Sequence, residues 1–296
     1  KLNDHLNSFN SFQLIGLESY FNNCINFYNF SKFPKVLLFS GPKGLGKFTL
    51  AFHLINYVLS KDFKNSYYTK NKSINENSSI YKQLSTNASE NLIYVSNESH
   101  NRTSIEQIRE IRKKLNNSTL NNLPRFIIFD DVEQLNVSSA NSLLKVIEEP
   151  NNTNYFILIN NKRAKLIETI KSRSIEINFF LNYQDKKRIF SELFFLNKLN
   201  SNFSHKYIKY TTPGLLLKYS KIIDENNINA DTEFAEIVSI FLEKYKKTKD
   251  EIFLDIINFF LEIKSEKLNA NSRNNFLALI NQKNNVMKLL YNYKKF

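Results

Sequence analysis

Tryptophan is absent from this sequence and cysteine is nearly absent. The scarcity of cysteine narrows the classes of protein to which the sequence can belong. The single cysteine, Cys24, excludes an internal disulfide and a cysteine-rich zinc module. No apolar run approaches the ~20 residues of a membrane span, and no signal-like apolar region precedes the predicted fold. We therefore expect a soluble cytoplasmic protein without a membrane partner.

Acidic residues are too few to balance the basic ones. The 296 residues include 41 Lys and Arg against 28 Asp and Glu, which leaves a formal net charge of +13. Such a charge favours contact with polyanions such as nucleic acid. The abundance of Asn, Lys, Ile and Phe indicates that a skewed genomic base composition contributes to it. The charge therefore supports a nucleic-acid partner without establishing one.

Glycine is also scarce, and its distribution is uneven. Three of the 5 glycines, Gly41, Gly44 and Gly46, lie in the segment GPKGLGK, which ends at Lys47 and follows the apolar run Val36–Phe39. A strand, a glycine-rich turn, a lysine and a helix form the P-loop pattern that surrounds a phosphate. A chance glycine turn is the alternative interpretation, and the flanking strand and helix count against it.

The P-loop pattern departs from its usual form at one position. Phe48 stands where a Ser or Thr hydroxyl normally ligates Mg²⁺. Thr49 follows, but one step along a helix rotates the side chain by about 100°, so that Thr49 cannot simply replace it. The segment is suited to holding a phosphate and poorly equipped for hydrolysis.

Apolar runs alternate with helical periodicity up to about residue 180. Near-continuous apolar strands separated by helices are typical of a parallel sheet covered on both faces, which predicts an α/β core. Residues 61–90 interrupt this pattern with a polar stretch that we interpret as a mobile surface insertion. The predicted strands are Val36–Phe39, Leu92–Val95, Phe126–Phe129, Tyr155–Ile159 and Ile175–Phe179.

Beyond residue 180 only helical patterns remain. Thr212-Pro213 is typical of a helix N-terminus, with proline at the first helical position. We predict three domains: a P-loop core over 1–180, a small helical domain over 181–226 and a helical domain over 227–296. The periodicity of the last domain includes Phe234, Val238, Phe241, Ile252, Ile256, Phe276, Ile280 and Leu289.

A second motif is the apolar strand that ends in Asp130-Asp131. P-loop ATPases place a carboxylate near Mg²⁺ at the carboxyl edge of the sheet in this way, which predicts that role for Asp130. Asp131 stands where an ATPase usually has a longer Glu that polarises water, and its shorter side chain weakens that function. A strand followed by an acidic turn is the alternative.

Charged residues at three other places are further candidates. Glu148-Glu149 closes a helix whose macrodipole disfavours carboxylates, which suggests a basic partner on an adjoining subunit, or else a solvated helix end. Arg173 lies at a helix–strand corner, where it is either an arginine finger for a neighbour's nucleotide or an ordinary surface arginine. Three basic residues follow Ser104 on the polar side of a predicted helix: Arg109, Arg112 and Lys113. They are candidates for contact with DNA phosphates, and a solvated helix face is the alternative.

Together these blocks resemble the AAA+ clamp-loader family, and most closely the delta-prime subunits of bacterial DNA polymerase III. The order GPKGLGK, SIEQIREIRKKL, FIIFDDVEQLN, ANSLLKVIEEP, YFILINN and TIKSRS is similar to that family across roughly residues 13–180. The resemblance implies an AAA+ P-loop core, a helical lid domain and a helical collar domain. It also implies a hetero-pentamer of clamp-loader subunits that acts with a sliding clamp and primed DNA.

The resemblance also implies roles for individual residues. Asp130 and Asp131 form the Walker B pair, and Asp131 is the catalytic member of that pair. Asn160 occupies the sensor-1 position, and Arg173 is the finger that acts on a neighbouring ATP site. The nucleotide site consists of these Walker B and sensor residues together with Gly41, Gly44, Gly46, Lys47 and Thr49.

Some positions depart from the family pattern. The family's SRC cysteine is Ser174, and residues 61–90 contain no cysteine, so that the zinc module of some relatives is not expected. Gly214 stands where hydrolysing relatives have a sensor-2 arginine. Together with Phe48 and Asp131, it predicts weak binding of ATP and Mg²⁺ and little hydrolysis.

These observations lead to one main hypothesis and two rivals. The main hypothesis is a delta-prime-like clamp-loader subunit that donates Arg173 to a neighbouring ATPase subunit and hydrolyses little or no ATP itself. The first rival is an active AAA+ motor subunit of the gamma/tau type. The second is a P-loop small-molecule kinase, which needs an acceptor site and an arginine-rich lid, neither of which we find in the sequence.

Overall fold

The structure, a computed structural model, describes residues 8–61, 66–86, 88–96, 103–117, 119, 123–199, 205–228 and 232–269. The chain divides into two compact units, Lys1–Asp185 and Lys186–Phe296. Each unit is considered by itself below.

A parallel five-stranded sheet forms the centre of the first unit. Its order is β4-β5-β6-β1-β7, so that the strand before the glycine loop lies between β6 and β7. The apolar runs form strands because both faces of the sheet are buried. The strands are β1 (Val36–Ser40), β4 (Leu92–Ser96), β5 (Arg125–Asp130), β6 (Asn154–Asn160) and β7 (Ile175–Asn178).

Helices cover both faces of this sheet. Along β1, Leu37 and Phe39 belong to one buried cluster, whereas Val36 and Leu38 belong to another. The first cluster includes residues of α1 (Glu18–Asn29) and α2 (Lys47–Leu59). The second includes residues of α4 (Ile105–Leu115), α5 (Val137–Ile147) and α6 (Glu168–Lys171). The α/β core is thus confirmed.

The polar segment 61–90, expected to be a surface insertion, contains secondary structure. Its described residues form a short hairpin, β2 (Tyr67–Tyr68) with β3 (Ser73–Ile74), and helix α3 (Ser79–Ser85). The apolar residues Ile74, Ile80, Tyr81 and Leu84 are buried in the cluster beside α2. A few apolar side chains therefore anchor a segment whose composition is mainly polar.

Two features of helix α4 fix its ends. At its start Ser104 and Gln107 form a capping box, with both reciprocal hydrogen bonds present. At its end the buried guanidinium of Arg125 donates to the carbonyl oxygens of Lys114 and Asn117, both at 3.0 Å. The first residue of β5 thus satisfies carbonyls at the end of α4, where the helix dipole favours a cation.

The described part of the second unit is helical. It contains the end of α7 (Tyr183–Leu196), a 3₁₀ helix (His205–Tyr210), α8 (Pro213–Glu225), α9 (Phe234–Thr248) and α10 (Ile252–Asn269). The unit boundary lies within α7, and α8 begins at Pro213, as the Thr212-Pro213 pattern predicts. The predicted helical C-terminal part is confirmed over these residues.

Helices on both sides of the predicted boundary at residue 226 contact one another. The ring of Phe259 on α10 lies 5.2 Å from that of Tyr219 on α8 and 6.2 Å from that of Tyr207. The division into lid and collar remains a prediction, and Phe276, Ile280 and Leu289 lie outside the described residues. Among the described helices, none combines the length and apolar character needed to cross a bilayer.

Candidate nucleotide-binding site

The carboxyl ends of three neighbouring strands bring the candidate residues to one edge of the sheet. Ser40, the last residue of β1, pairs with Asn160 at the end of β6, and β5 on the other side of β6 ends at Asp130. Ligands of open parallel sheets bind beyond these carboxyl ends. The glycine loop, the aspartate pair and the asparagines after β6 thus share one edge.

The glycine loop connects β1 to α2 through backbone that favours glycine. Gly44 and Gly46 have φ of 83° and 81°, in the left-handed region. Gly41 is needed for another reason, because a Cβ at this position would lie 2.8 Å from the carbonyl oxygen of Phe179. Gly46 directly precedes α2, whose first N–H groups therefore face the loop.

Lys47 lies inside the loop. Its side chain is buried, and its Nζ donates to the carbonyl oxygens of Gly41 at 2.6 Å and Pro42 at 2.8 Å. Burial lowers the pKa of Lys47 to about 8, although Asp130, Glu133 and Asp131 act in the opposite direction. An anion in the loop would stabilise the charged form of this ammonium group.

The two aspartates at the end of β5 are held together by a third side chain. The amide nitrogen of Asn161 donates to Asp130 Oδ1 at 3.0 Å and to Asp131 Oδ1 at 2.8 Å. Lys43 Nζ lies 3.7 Å from Asp131 Oδ2. Burial, with the charge of Asp131 as the next contribution, raises the pKa of Asp130 to about 6.

The structure gives the two consecutive asparagines different contacts. Asn160, the predicted sensor residue, donates from Nδ2 to Ser40 Oγ at 3.3 Å. Asn161, which the sequence reasoning did not select, contacts both aspartates. Buried Glu133 fixes the backbone here, since its Oε1 accepts hydrogen bonds from the N–H groups of Asn161 and Arg163 at 3.1 and 3.2 Å.

Phe48 belongs to the core. It is 8% exposed, and its ring packs edge-on against Phe9 at 4.8 Å and Tyr94 at 5.0 Å. Tyr94, also absent from the candidates chosen from the sequence, donates its hydroxyl to Asp130 Oδ2 at 3.4 Å. Thr49 is half-buried in the first turn of α2.

Arg173 lies in the short connection between α6 and β7. Its Nε is 2.8 Å from Glu148 Oε1, and Nη1 donates to the carbonyl oxygen of Thr169 at 3.2 Å. Both partners of the ion pair are about two-fifths exposed. This corrects the expectation that Glu148 takes its basic partner from another subunit, because a partner lies in the same chain.

The basic residues of α4 lie apart from these contacts. Arg109, Arg112 and Lys113 are exposed on the face opposite the buried residues Ile108 and Ile111. Their proposed role in DNA contact stays a prediction.

The sheet order, the glycine loop before α2 and the carboxylate pair after β5 define a P-loop protein of the AAA+ class. The family described as "DNA polymerase III, delta subunit" matches residues 17–182. This match covers more than half of the residues of the chain, and the chain therefore belongs to that family.

Similar proteins are subunits of the same polymerase. The subunit gamma of Buchnera aphidicola subsp. Schizaphis graminum is 28% identical over 253 residues, covering 82% of this chain and 65% of the relative. The subunit delta' of the same organism is 25% identical over 233 residues, covering 79% of this chain and 66% of the relative. The chain thus spans just under two thirds of the length of each.

A solved structure with a similar arrangement is that of a DNA polymerase III gamma subunit-related protein from Thermotoga maritima. It is 18% identical, with a TM-score of 0.46, and the match covers 91% of this chain and 77% of that chain.

Proposed function

We propose that this chain is a delta-prime-like subunit of the DNA polymerase III clamp loader. In this role it supports ATP-dependent loading of the sliding clamp onto primed DNA within a complex of other clamp-loader subunits. The observation that carries the proposal is the family match over residues 17–182, which contains the loop, the aspartate pair and Arg173.

Weak hydrolysis by this chain is supported by the surroundings of the aspartate pair. Phe48 contributes a packed ring where a hydroxyl is expected, and Asp131 accepts a hydrogen bond from Asn161 beside Lys43. A carboxylate engaged in this way is poorly placed to orient a water molecule against a phosphate. The chain therefore contributes to catalysis mainly through a neighbouring subunit.

Arg173 is the residue through which that contribution is made. Its pair with Glu148 is half-exposed, and such pairs contribute only ~0–1 kcal/mol. The guanidinium can therefore exchange Glu148 for a phosphate on a neighbour at little cost in free energy. An arginine that reaches a neighbour's phosphate accelerates hydrolysis by about 10³–10⁵-fold where such fingers operate.

The test is Arg173→Ala in the reconstituted complex. The variant should assemble normally and lower the DNA-dependent ATPase rate by at least about tenfold, because the transition-state charge loses a partner. Arg188→Ala is the matched control, since Arg188 is another half-exposed arginine that pairs with a glutamate in its own chain. An ATPase rate equal to that of the wild type would remove the finger assignment.

The similarity to a gamma subunit favours one alternative, an active ATPase subunit of the same loader. ATP turnover by the purified chain separates the two functions. A delta-prime-like subunit shows little or none, whereas a gamma-like subunit hydrolyses ATP by itself and loses that activity in Lys47→Ala.

A further inference from the structure

The position after the P-loop lysine provides no ligand for a metal ion. Mg²⁺ requires near-octahedral coordination by oxygen, and P-loop sites supply one of these oxygens from a hydroxyl at this position. The ring of Phe48 is held among Phe9, Phe52 and Tyr94, with centroid distances of 4.8, 6.1 and 5.0 Å. These three rings hold the Phe48 side chain in place, and a phenyl ring has no oxygen atom to offer a metal ion.

The carboxylate of Asp130 is already engaged by donors of the protein. Its Oδ1 accepts from the amide of Asn161 at 3.0 Å and from the backbone N–H of Asp131 at 2.9 Å. Its Oδ2 accepts from the hydroxyl of Tyr94 at 3.4 Å. Tyr94 is held in place by the same aromatic cluster that contains Phe48, with its ring 5.6 Å from that of Phe9.

The second carboxylate is engaged as well. Asp131 is buried, its Oδ1 accepts from Asn161 at 2.8 Å, and its Oδ2 lies 3.7 Å from the ammonium group of Lys43. Hydrogen-bond donors and a lysine therefore surround the aspartate pair where a metal ion would need open oxygen atoms. The residues present do not fit a magnesium ion.

The phosphate-binding half of the site is nevertheless complete. Gly44 and Gly46 give the loop its left-handed turns, Lys47 lies inside it, and α2 begins directly after it. Backbone N–H groups, a lysine and a helix N-terminus together hold phosphate oxygens without any metal ion. Lys43 on the same loop adds a second positive charge.

Building on the nucleotide site of the proposed function, we propose that this site binds a nucleoside triphosphate without magnesium. Tyr94 and Asn161 are positioning residues that hold the aspartate pair in a metal-free arrangement. The bound nucleotide then serves as a structural ligand, because the ion that would neutralise charge during phosphoryl transfer has no place beside it.

The experiment measures binding of a fluorescent ATP analogue to the full chain by anisotropy, once with excess MgCl₂ and once with excess EDTA. The two dissociation constants should agree within about threefold, a difference of less than 1 kcal/mol. Lys47→Ala should abolish binding in both buffers, which establishes that the analogue is in the loop. An affinity at least tenfold higher with magnesium, or no binding in either buffer, would overturn the proposal.

Two substitutions test the residues that exclude the ion. Phe48→Thr combined with Tyr94→Phe supplies a hydroxyl and removes the hydrogen bond from Tyr94 to Asp130 Oδ2, so that magnesium should strengthen binding by about tenfold or more. Phe48→Leu combined with Tyr94→Phe is the matched control, since it disturbs the same cluster without adding an oxygen and should gain no more affinity from magnesium than Tyr94→Phe alone. Circular dichroism verifies that each variant is folded.

Tyr94→Phe alone keeps the aromatic ring in the cluster. It therefore still tests the role of the hydroxyl if a double variant does not fold. It should increase the affinity gained from magnesium by a smaller factor than the double variant, and no change would contradict the role of the hydroxyl. Failure of these measurements leaves the Arg173→Ala test unaffected, because that test concerns the nucleotide of a neighbouring subunit.

Discussion

At the scale of single residues, His53 shows how burial determines a protonation state. It is fully buried in α2, with Nε2 2.8 Å from the carbonyl oxygen of Ser11 and Nδ1 3.1 Å from the hydroxyl of Tyr67. A carbonyl oxygen only accepts, so Nε2 carries the proton and Nδ1 accepts from Tyr67. Burial lowers the pKa of His53 from its ordinary value of 6.5 to about 4.

This pKa shift predicts a loss of stability in mild acid. The unfolded chain binds a proton at His53 below about pH 6.5, whereas the folded chain resists it down to about pH 4. The free energy of unfolding should therefore be highest above pH 6.5 and fall by about 2 kcal/mol between pH 7 and pH 5 from this residue. Urea unfolding at the two pH values measures the difference.

His53→Gln provides the control for this prediction. The amide does not titrate, so the variant should be less stable at pH 7 but should lose about 2 kcal/mol less on going to pH 5. An unchanged pH dependence would show that other groups are responsible for it.

The sequence shows the chemistry of single residues where it is set locally, but not the contacts that a neighbouring element determines. Phe48 could be recognised as a missing hydroxyl from the motif alone. Asn160 and Asn161 could not be distinguished, because consecutive residues of an extended strand point in opposite directions and the strand end was uncertain by one residue. Tyr94 gave no signal, because its contact with Asp130 depends on the pairing of β4 with β5.

At the scale of elements, the end of α4 is held by side chains from two neighbouring strands. Arg125 donates to carbonyl oxygens at this end, and its Nε also donates to the carbonyl oxygen of Glu90 at 2.9 Å. Asn154 of β6 donates from Nδ2 to the carbonyl oxygen of Leu115 at 3.2 Å. Helix ends leave carbonyls without partners inside the helix, and here the sheet provides them.

Arg125→Met should therefore destabilise the first unit. The substitution introduces an apolar side chain of similar length and leaves three carbonyl oxygens without these donors. The expected loss is about 2–4 kcal/mol in the free energy of unfolding, measured by urea unfolding. Arg112→Met on the exposed face of α4 is the control and should change stability by less than about 0.5 kcal/mol. Equal effects of the two substitutions would contradict this role.

The strands were predictable as elements because each is an apolar run buried on both faces. All five predicted strands overlap the observed ones, with ends that differ by one residue. The structure within segment 61–90 could not be predicted, because its buried residues, such as Ile80 and Leu84, are few and lie among polar ones. A pattern so sparse does not distinguish an anchored segment from a surface loop.

At the scale of the whole molecule, the Arg173–Glu148 pair joins two parts of the chain that are distant in sequence. The sequence left open whether either residue has a partner, and only the folded core shows that α5 and the corner before β7 bring them together at 2.8 Å. The pair thus links α5 to the corner before β7 within one chain.

Glu148→Gln should leave the ATPase rate of the assembled complex unchanged or raise it by up to about fivefold. The substitution removes a competing charge worth ~0–1 kcal/mol and keeps the size of the side chain. Glu149→Gln, at the neighbouring exposed position, is the control and should have no effect. A loss as large as that expected for Arg173→Ala would show instead that Glu148 places the arginine for catalysis.

The tight approach of Gly41 to Phe179 has a mechanical consequence. Phe179 also donates its N–H to Ser40 at 2.7 Å, and its ring stacks on Tyr20 at 4.5 Å. Gly41, at the start of the phosphate loop, and Phe179, which follows β7, are therefore packed closely against each other. A residue larger than glycine at position 41 would therefore have to displace the backbone of Phe179, which Ser40 and Tyr20 already hold in place.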